Sequence, residues 1–218
     1  MSTPQQPAVG VVIAGGRSVR FGGEKAVALL DGRPLLLWAV ERLAASCAAV
    51  AVNVRPGTEA YALAQRHGLP QLHDAAGDAA GPLAGVKAGL TWAKSQGARW
   101  LAVSPCDAPL LPQDLYVRLI EVAAHNGNLG AAMAETSDGH QPLCAVWPVS
   151  ALPKVTEALA GGAHPPTWLL LQSLGAVHVP FQDPDNFANI NTREDLEAIS
   201  RRLARDSRDH GRNDRPGQ

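Results

Sequence analysis

Cysteine is scarce in this chain of 218 residues, which holds only Cys47, Cys106 and Cys144. An odd set without C-x-x-C spacing argues against a disulfide framework and against a thiolate zinc site. Histidine does not fill the gap. The seven lie at 67, 73, 125, 140, 164, 178 and 210, with no pair at i, i+4 on one helix and no cysteine ligand nearby, so zinc is not expected. Net charge is small too: a formal −1 gives no electrostatic ground for nucleic acid or membrane as a partner. No apolar run approaches the ~18 residues of a spanning helix. The opening MSTPQQP has neither the charged nor the apolar region of a secretion signal, so the expected location is the cytoplasm. A G-x-S-x-G nucleophile elbow is absent, and no cysteine has a recognisable activating base. No internal repeat is visible.

What the chain does have is apolar content of 46% against 18% charged residues, the balance of an ordinary globule with a sizeable core. Residues 1–8 read as a polar arm, 9–204 as a single domain, and 205–218, charged and without periodicity, as a disordered tail. Val9 to Ala14, Val50 to Val54 and Trp100 to Ser104 read as strands, with a short extended piece over 69–74. Helices are expected from Pro34 to Leu43, over 58–67, from Pro82 and over 113–125. Later strands are expected at 129–135, 142–147 and 176–180, with helices near 150–160 and 166–174. Thr192, with Asp195 three residues on, opens the last helix as a variant capping box, its stripe formed by Leu196, Ile199 and Leu203. Strands alternating with helices predict an α/β fold, a mainly parallel Rossmann-like sheet with helices on both faces.

The most informative stretch follows the first strand. Gly15 and Gly16 remove side chains that would block a ligand, and consecutive N–H groups there can cradle an anion. Arg17, Arg20 and Lys25 add positive charge, as a polyphosphate requires. A tight turn with a solvated cationic rim is the plain alternative. The stretch is not a Walker A loop, because Ala26 follows Lys25; nor is it G-x-G-x-x-G, because Gly15 and Gly16 are adjacent.

Ligands of parallel sheets bind beyond the carboxyl ends of the strands. That rule gathers the 15–25 loop, Asn53, Asp74 and Asp107 at one rim. Asp107, stiffened by Pro105 and Pro109, suits Mg²⁺, which takes one or two carboxylates with phosphates and water; a turn or cap aspartate is the alternative. Asp74 could orient a base or ribose, or bond its own loop. Asn53 could read a base or merely end a strand. Gly81 and Gly85 could let a helix approach a nucleotide, and Asn189 and Asn191 could bond a second substrate or belong to a helix start. Cys106 reads as a packing residue.

The run I-A-G-G-R-S-V-R-F-G-G-E-K at 13–25 resembles the L-A-G-G-x-S-x-R-M-G-x-x-K signature of the MobA-like nucleotidyltransferases. G-P-L-A-G at 81–85, C-D-A-P at 106–109 and N-I-N-T at 189–192 resemble further landmarks of that family, so the likeness covers nearly the whole ordered chain. The resemblance implies GTP and Mg²⁺ as ligands, with GMP moved to the terminal phosphate of molybdopterin and pyrophosphate released. By position it implies that Ile13, Ala14, Gly15, Gly16, Lys25, Asn53, Asp74, Gly81 and Asp107 meet GTP. Lys25, Arg20 and Asp107 would serve catalysis, and Asp107 would hold the metal. It also implies partners among molybdoenzyme-maturation proteins or apo-molybdoenzymes. Departures are Phe21 for Met, Glu24 for Asp, Gln141 between His140 and Pro142, and GGAHPPTW at 161–168, where related chains carry arginines. The alternatives are cytidylyl transfer, another phosphorylated acceptor, a non-catalytic nucleotide-binding accessory protein and, third, a dehydrogenase.

Overall fold

The computed structural model describes residues 8–15, 20–78, 81–126 and 130–213, with side chains described as far as 205. Gly16 and Arg17, the arm before Ala8 and the last five positions of the expected tail lie outside the described residues.

In chain order the elements are β1 (Ala8–Ile13), β2 (Leu29–Leu30), β3 (Arg33–Pro34), α1 (Leu35–Ala44), β4 (Val50–Asn53), α2 (Glu59–Arg66), β5 (Gln71–Leu72), α3 (Pro82–Ser95) and β6 (Trp100–Pro105). Then come α4 (Leu115–His125), β7 (Ala132–Thr136), β8 (Gly139–Pro148), α5 (Leu152–Ala158), α6 (Thr167–Ser173), β9 (Val177–Pro180) and α7 (Arg193–Asn213). Seven strands form one sheet in the order β5-β4-β1-β6-β8-β7-β9. β5, β4, β1 and β6 run parallel, β8 is antiparallel to both β6 and β7, and β9 returns parallel to β7. The mainly parallel, helix-covered sheet is as expected.

Strand pleating divides the core in two. Val12 of β1, Val52 of β4 and Ala102 of β6 face α1, α2 and α4, where Leu36, Leu43, Leu63, Leu115 and Leu119 are buried. Val9 and Val11, with Leu101 and Val103, face α3, α5 and α6 and pack on Leu83, Leu90, Val155 and Leu171. Alternation of this kind is what period-2 side-chain geometry gives a sheet covered on both faces. Helix α3 comes close because Gly89 faces the sheet: a Cβ there would sit 2.8 Å from Leu101 Cδ2 and 2.9 Å from Val11 Cγ1.

D-G-R-P at 31–34 is turn chemistry by sequence, and the turn is there; what departs from expectation is that two short strands flank it and that the last helix runs on. Asp31-Gly32 is a hairpin turn joining β2 to β3, with φ of 51° and 72° at the two residues. Positive φ at both positions suits the twist of a two-residue hairpin, for which Asp-Gly is a favoured pair. Its Leu30 packs with Phe21, Leu35, Ile190 and Ile199 in a third small core beneath α7. The second departure is α7, which continues to Asn213 where a disordered tail is expected from 205. No proline interrupts 193–213, so the backbone ladder can extend past the end of the buried stripe.

Candidate nucleotide-binding cleft

Because β1, β4 and β6 are parallel and adjacent, their carboxyl ends open on one rim, and a cleft of about 590 Å³ lies there. Its volume falls within the ~300–1,000 Å³ usual for small-molecule sites. Ile13, Ala14, Gly15, Arg20, Lys25, Asn53, Asp74, Gly81 and Asp107 all line it. The structure therefore brings together most of the site residues expected from sequence; Asn189 does not line the cleft, and Gly16 and Arg17 lie outside the described residues.

At its centre Lys25 Nζ donates to Asp107 Oδ2 at 2.6 Å and to Asn191 Oδ1 at 3.2 Å. The two charged side chains retain 12% and 21% of their exposure, so both remain reachable from the cleft. Lys25 reaches this position because the chain leaving β1 folds into a short 3₁₀ turn over Lys25–Val27. Asp107 lies two residues past the end of β6 and accepts no helix-capping bond there; its carbonyl instead receives the Ile190 N–H at 2.8 Å. The turn-or-cap reading of Asp107 thus gives way to a carboxylate held toward a lysine.

Asn191 is fixed from the other side. The Asp195 carboxylate accepts from the N–H groups of Asn191 and Thr192 at 2.8 and 2.9 Å, while the Asp195 N–H donates to Thr192 Oγ1 at 3.1 Å. This is the reciprocal capping box foreseen in the sequence, and it aims the Asn191 side chain at Lys25. The backbone N–H bonds, first that of Asn191 and then that of Thr192, hold the Asp195 carboxyl below the usual carboxylate range. The folded pKa is depressed, so the stabilising bonds are complete above the ordinary value of ~3.9 and are lost as pH falls through the lowered one. Asp195→Asn should therefore lower Tm at pH 7 and leave a difference from the parent that shrinks toward pH 3. Melting curves across that range check it, and a Tm gap independent of pH would remove the carboxylate from the account.

On the opposite wall, Asn53 is buried at 3% exposure, and its Nδ2 donates to Asp74 Oδ1 at 3.0 Å and to the Leu72 carbonyl at 3.4 Å. Asp74 thus orients Asn53 rather than the loop after it. Gly85 makes this packing feasible: a Cβ there would lie 2.6 Å from Asn53 Oδ1 and 2.8 Å from Ile13 Cδ1. Gly81 is extended rather than left-handed, and a Cβ on it would meet His164 Nδ1 at 3.1 Å. That places the one cationic candidate of the 161–168 stretch beside the cleft.

Glu24, Arg55, Thr58, Leu143 and Cys106 also line the cleft and were not foreseen as site residues. Glu24 binds the start of α2, accepting from the Glu59 and Ala60 N–H groups at 3.0 and 2.9 Å, so the cationic loop is tied to a helix N-terminus. A carboxylate at such an end also meets the positive pole of the helix. The signal was present only as an acidic residue beside Lys25, since its partners lie 35 and 36 positions away. Burial, reinforced by the Asp107 charge, pushes the Cys106 thiol up to about 12, so it packs and does not act as a nucleophile.

A family model described as a MobA-like NTP transferase domain matches residues 10–175. Among curated relatives, a molybdenum cofactor guanylyltransferase of Cupriavidus metallidurans is 36% identical over 193 residues, covering 86% of this chain and 91% of the relative. One of Rhodobacter capsulatus with the same name is 38% identical over 196 residues, covering 89% and 95%. The solved molybdopterin-guanine dinucleotide biosynthesis protein A of Archaeoglobus fulgidus superposes with a TM-score of 0.73 at 23% identity, covering 90% of this chain and 99% of that one. A CMP:2-keto-3-deoxy-manno-octonic acid synthetase solved with CTP gives 0.74 at 13% identity, covering 92% and 99%, which shows a shared nucleotidyltransferase fold. No helix among the described residues is long and apolar enough to cross a membrane. With the match running from within β1 to just past α6, and relatives aligned over most of both chains, this chain belongs to the MobA-like NTP transferase family.

Proposed function

We propose that the protein is a molybdenum cofactor guanylyltransferase: it transfers GMP from GTP to the terminal phosphate of molybdopterin and releases pyrophosphate. The observation that carries the chemistry is the Lys25–Asp107 pair with Asn191 at the open ends of β1 and β6. The choice of guanine and of molybdopterin rests on relatives of that name at 36% and 38% identity.

In this reading the α-phosphate lies near Lys25 and the β- and γ-phosphates lie along the 15–25 loop, where Arg20 faces the cleft. An oxygen of the acceptor phosphate attacks the α-phosphorus, a new P–O bond forms, and the bond to the β-phosphate oxygen breaks. Lys25 stabilises charge on the α-phosphate as it develops, and Asn191 keeps its ammonium in place. Catalysis of this type needs positioning and charge stabilisation and no protein nucleophile, in keeping with the buried, inert Cys106. The groups that accept from Lys25 are both oxygens, a carboxylate and an amide carbonyl, the ligand atoms that a hard cation such as Mg²⁺ takes. Asp107 would hold it, and when bound it supplies charge neutralisation at the phosphates. Asn53 has its two amide N–H donors engaged by Asp74 and the Leu72 carbonyl, and its Oδ1, walled by Gly85, is the acceptor it offers to ribose or base.

Calorimetric titration with GTP, CTP, ATP and UTP, each with and without Mg²⁺, tests the reading. Mg²⁺-dependent preference for GTP, followed by GMP transfer to molybdopterin, is the expected outcome. Preference for CTP would assign the cytidylyl reaction instead. Nucleotide binding without transfer to any phosphorylated acceptor would make the chain an accessory protein.

A further inference from the structure

Outside the lining of the nucleotide cleft, three side chains converge on β8, β7 and β9, toward the edge of the sheet opposite β5. Glu135 of β7 and His140 of β8 are directly paired across the ladder. His178 of β9 stands opposite Met133, two residues from Glu135 and therefore on the same face. His140 Nδ1 lies 3.1 Å and His178 Nδ1 3.4 Å from the same oxygen, Glu135 Oε1. The two imidazole rings are 4.5 Å apart at a tilt of 60°, and one potential ligand atom from each residue falls within 4.8 Å of the others. Each side chain keeps between 33% and 39% of its exposure, so the trio is open to ions from solvent.

We propose that Glu135, His140 and His178 form a site for one divalent transition-metal ion of the Zn²⁺ type. Two nitrogens and one carboxylate oxygen are the donors such ions take, at bond lengths of ~2.0–2.2 Å. Tetrahedral geometry with those bonds separates neighbouring ligands by roughly 3.3–3.5 Å, close to the two separations of 3.1 and 3.4 Å from Glu135 Oε1. Little reorganisation is then needed: with each imidazole carrying its hydrogen on Nε2, both Nδ1 lone pairs and the carboxylate meet one ion. Mg²⁺ does not fit, since it prefers an all-oxygen shell; the site thereby differs in kind from Asp107. Three protein ligands leave a fourth position for water or an exchangeable donor.

The ligands come from three adjacent strands, the last of them, β9, at the sheet edge. That is why spacing along the chain gives no i, i+4 pair: the histidines meet through strand register. Trp168 of α6 lies 6.1 Å from the His140 ring and supplies a local optical probe.

The test uses the full chain, stripped with EDTA and titrated with Zn²⁺ by calorimetry and with Co²⁺ by visible absorption and tryptophan fluorescence. One equivalent should bind. Affinity should fall at least ~10-fold in His140→Ala and in His178→Ala, and less in Glu135→Gln, while a large excess of Mg²⁺ should not compete. Trp168→Phe should keep the stoichiometry and reduce the Co²⁺ quenching. GTP affinity should be the same in all four variants, which separates this site from the nucleotide reading. Absence of saturable binding, or unchanged affinity in both histidine variants, would overturn the proposal.

Discussion

Asp107→Asn should lower the rate of pyrophosphate release from GTP and acceptor by about 10³-fold, and Lys25→Met by about 10²–10³-fold, in a protein that melts near the parental temperature. The magnitudes follow from what the pair does. Lys25 Nζ lies 2.6 Å from Asp107 and 3.2 Å from Asn191, so a fixed positive charge is already in place before substrate arrives. Replacing the carboxylate with an amide keeps the shape of Asp107 but removes the charge that suits a hard cation. Because the two side chains act as a unit, the double variant should be little slower than the slower single one. Parental turnover in either variant, with the fold verified by circular dichroism, would sink the assigned roles. A purely structural pair would show the reverse pattern, a lowered Tm with normal turnover.

The second large effect belongs to a residue with no side chain. Gly85→Val should cost about 1–3 kcal/mol of stability, and should weaken GTP binding by at least ~10-fold. The new Cβ would meet Asn53 Oδ1 at 2.6 Å, and Asn53 is pinned by Asp74 and the Leu72 carbonyl. It can yield only by breaking those bonds or leaving the cleft wall. Gly89→Val is the control. Its Cβ also collides, at 2.8 and 2.9 Å, but with Leu101 and Val11 inside the core. Both variants should therefore melt early, whereas only Gly85→Val should lose nucleotide affinity. Equal loss of affinity in both would mean that strain spreads through α3 and that Asn53 holds no special position.

The strands that end at the cleft were legible because β1 and β4 are uncharged, valine-rich runs and β6 is an uncharged apolar one, and the rule for parallel sheets then gathers Asn53, Asp74 and Asp107 on one rim. Couplings across long separations were not legible. Nothing local says that Asp74 orients Asn53, or that Glu24 grips the start of α2; each depends on a register that exists only after folding. By sequence, Asn191 is a group for a second substrate or part of a helix start. Its N–H is indeed tied into the helix start, but its side chain serves Lys25, because the capping box turns it there. The hairpin at Asp31-Gly32 had a clear local signal, yet Pro34 beside it reads equally well as a helix start, and β3 ends on that residue. Helical spacing along the chain is silent on His140 and His178, which strand register brings together.

Lys25 and its partner Asn191 are separated by 166 positions, and this has a consequence during synthesis. At 5–20 residues per second, roughly 8–33 seconds pass on the ribosome between the two. Asp107 appears 82 positions after Lys25, so for the remainder of that interval the two can pair while the lysine lacks its second anchor. The growing polypeptide therefore completes the Lys25–Asp107–Asn191 arrangement only when α7 docks, so, on the proposed function, an incomplete nascent chain should be a poor competitor for cellular nucleotide.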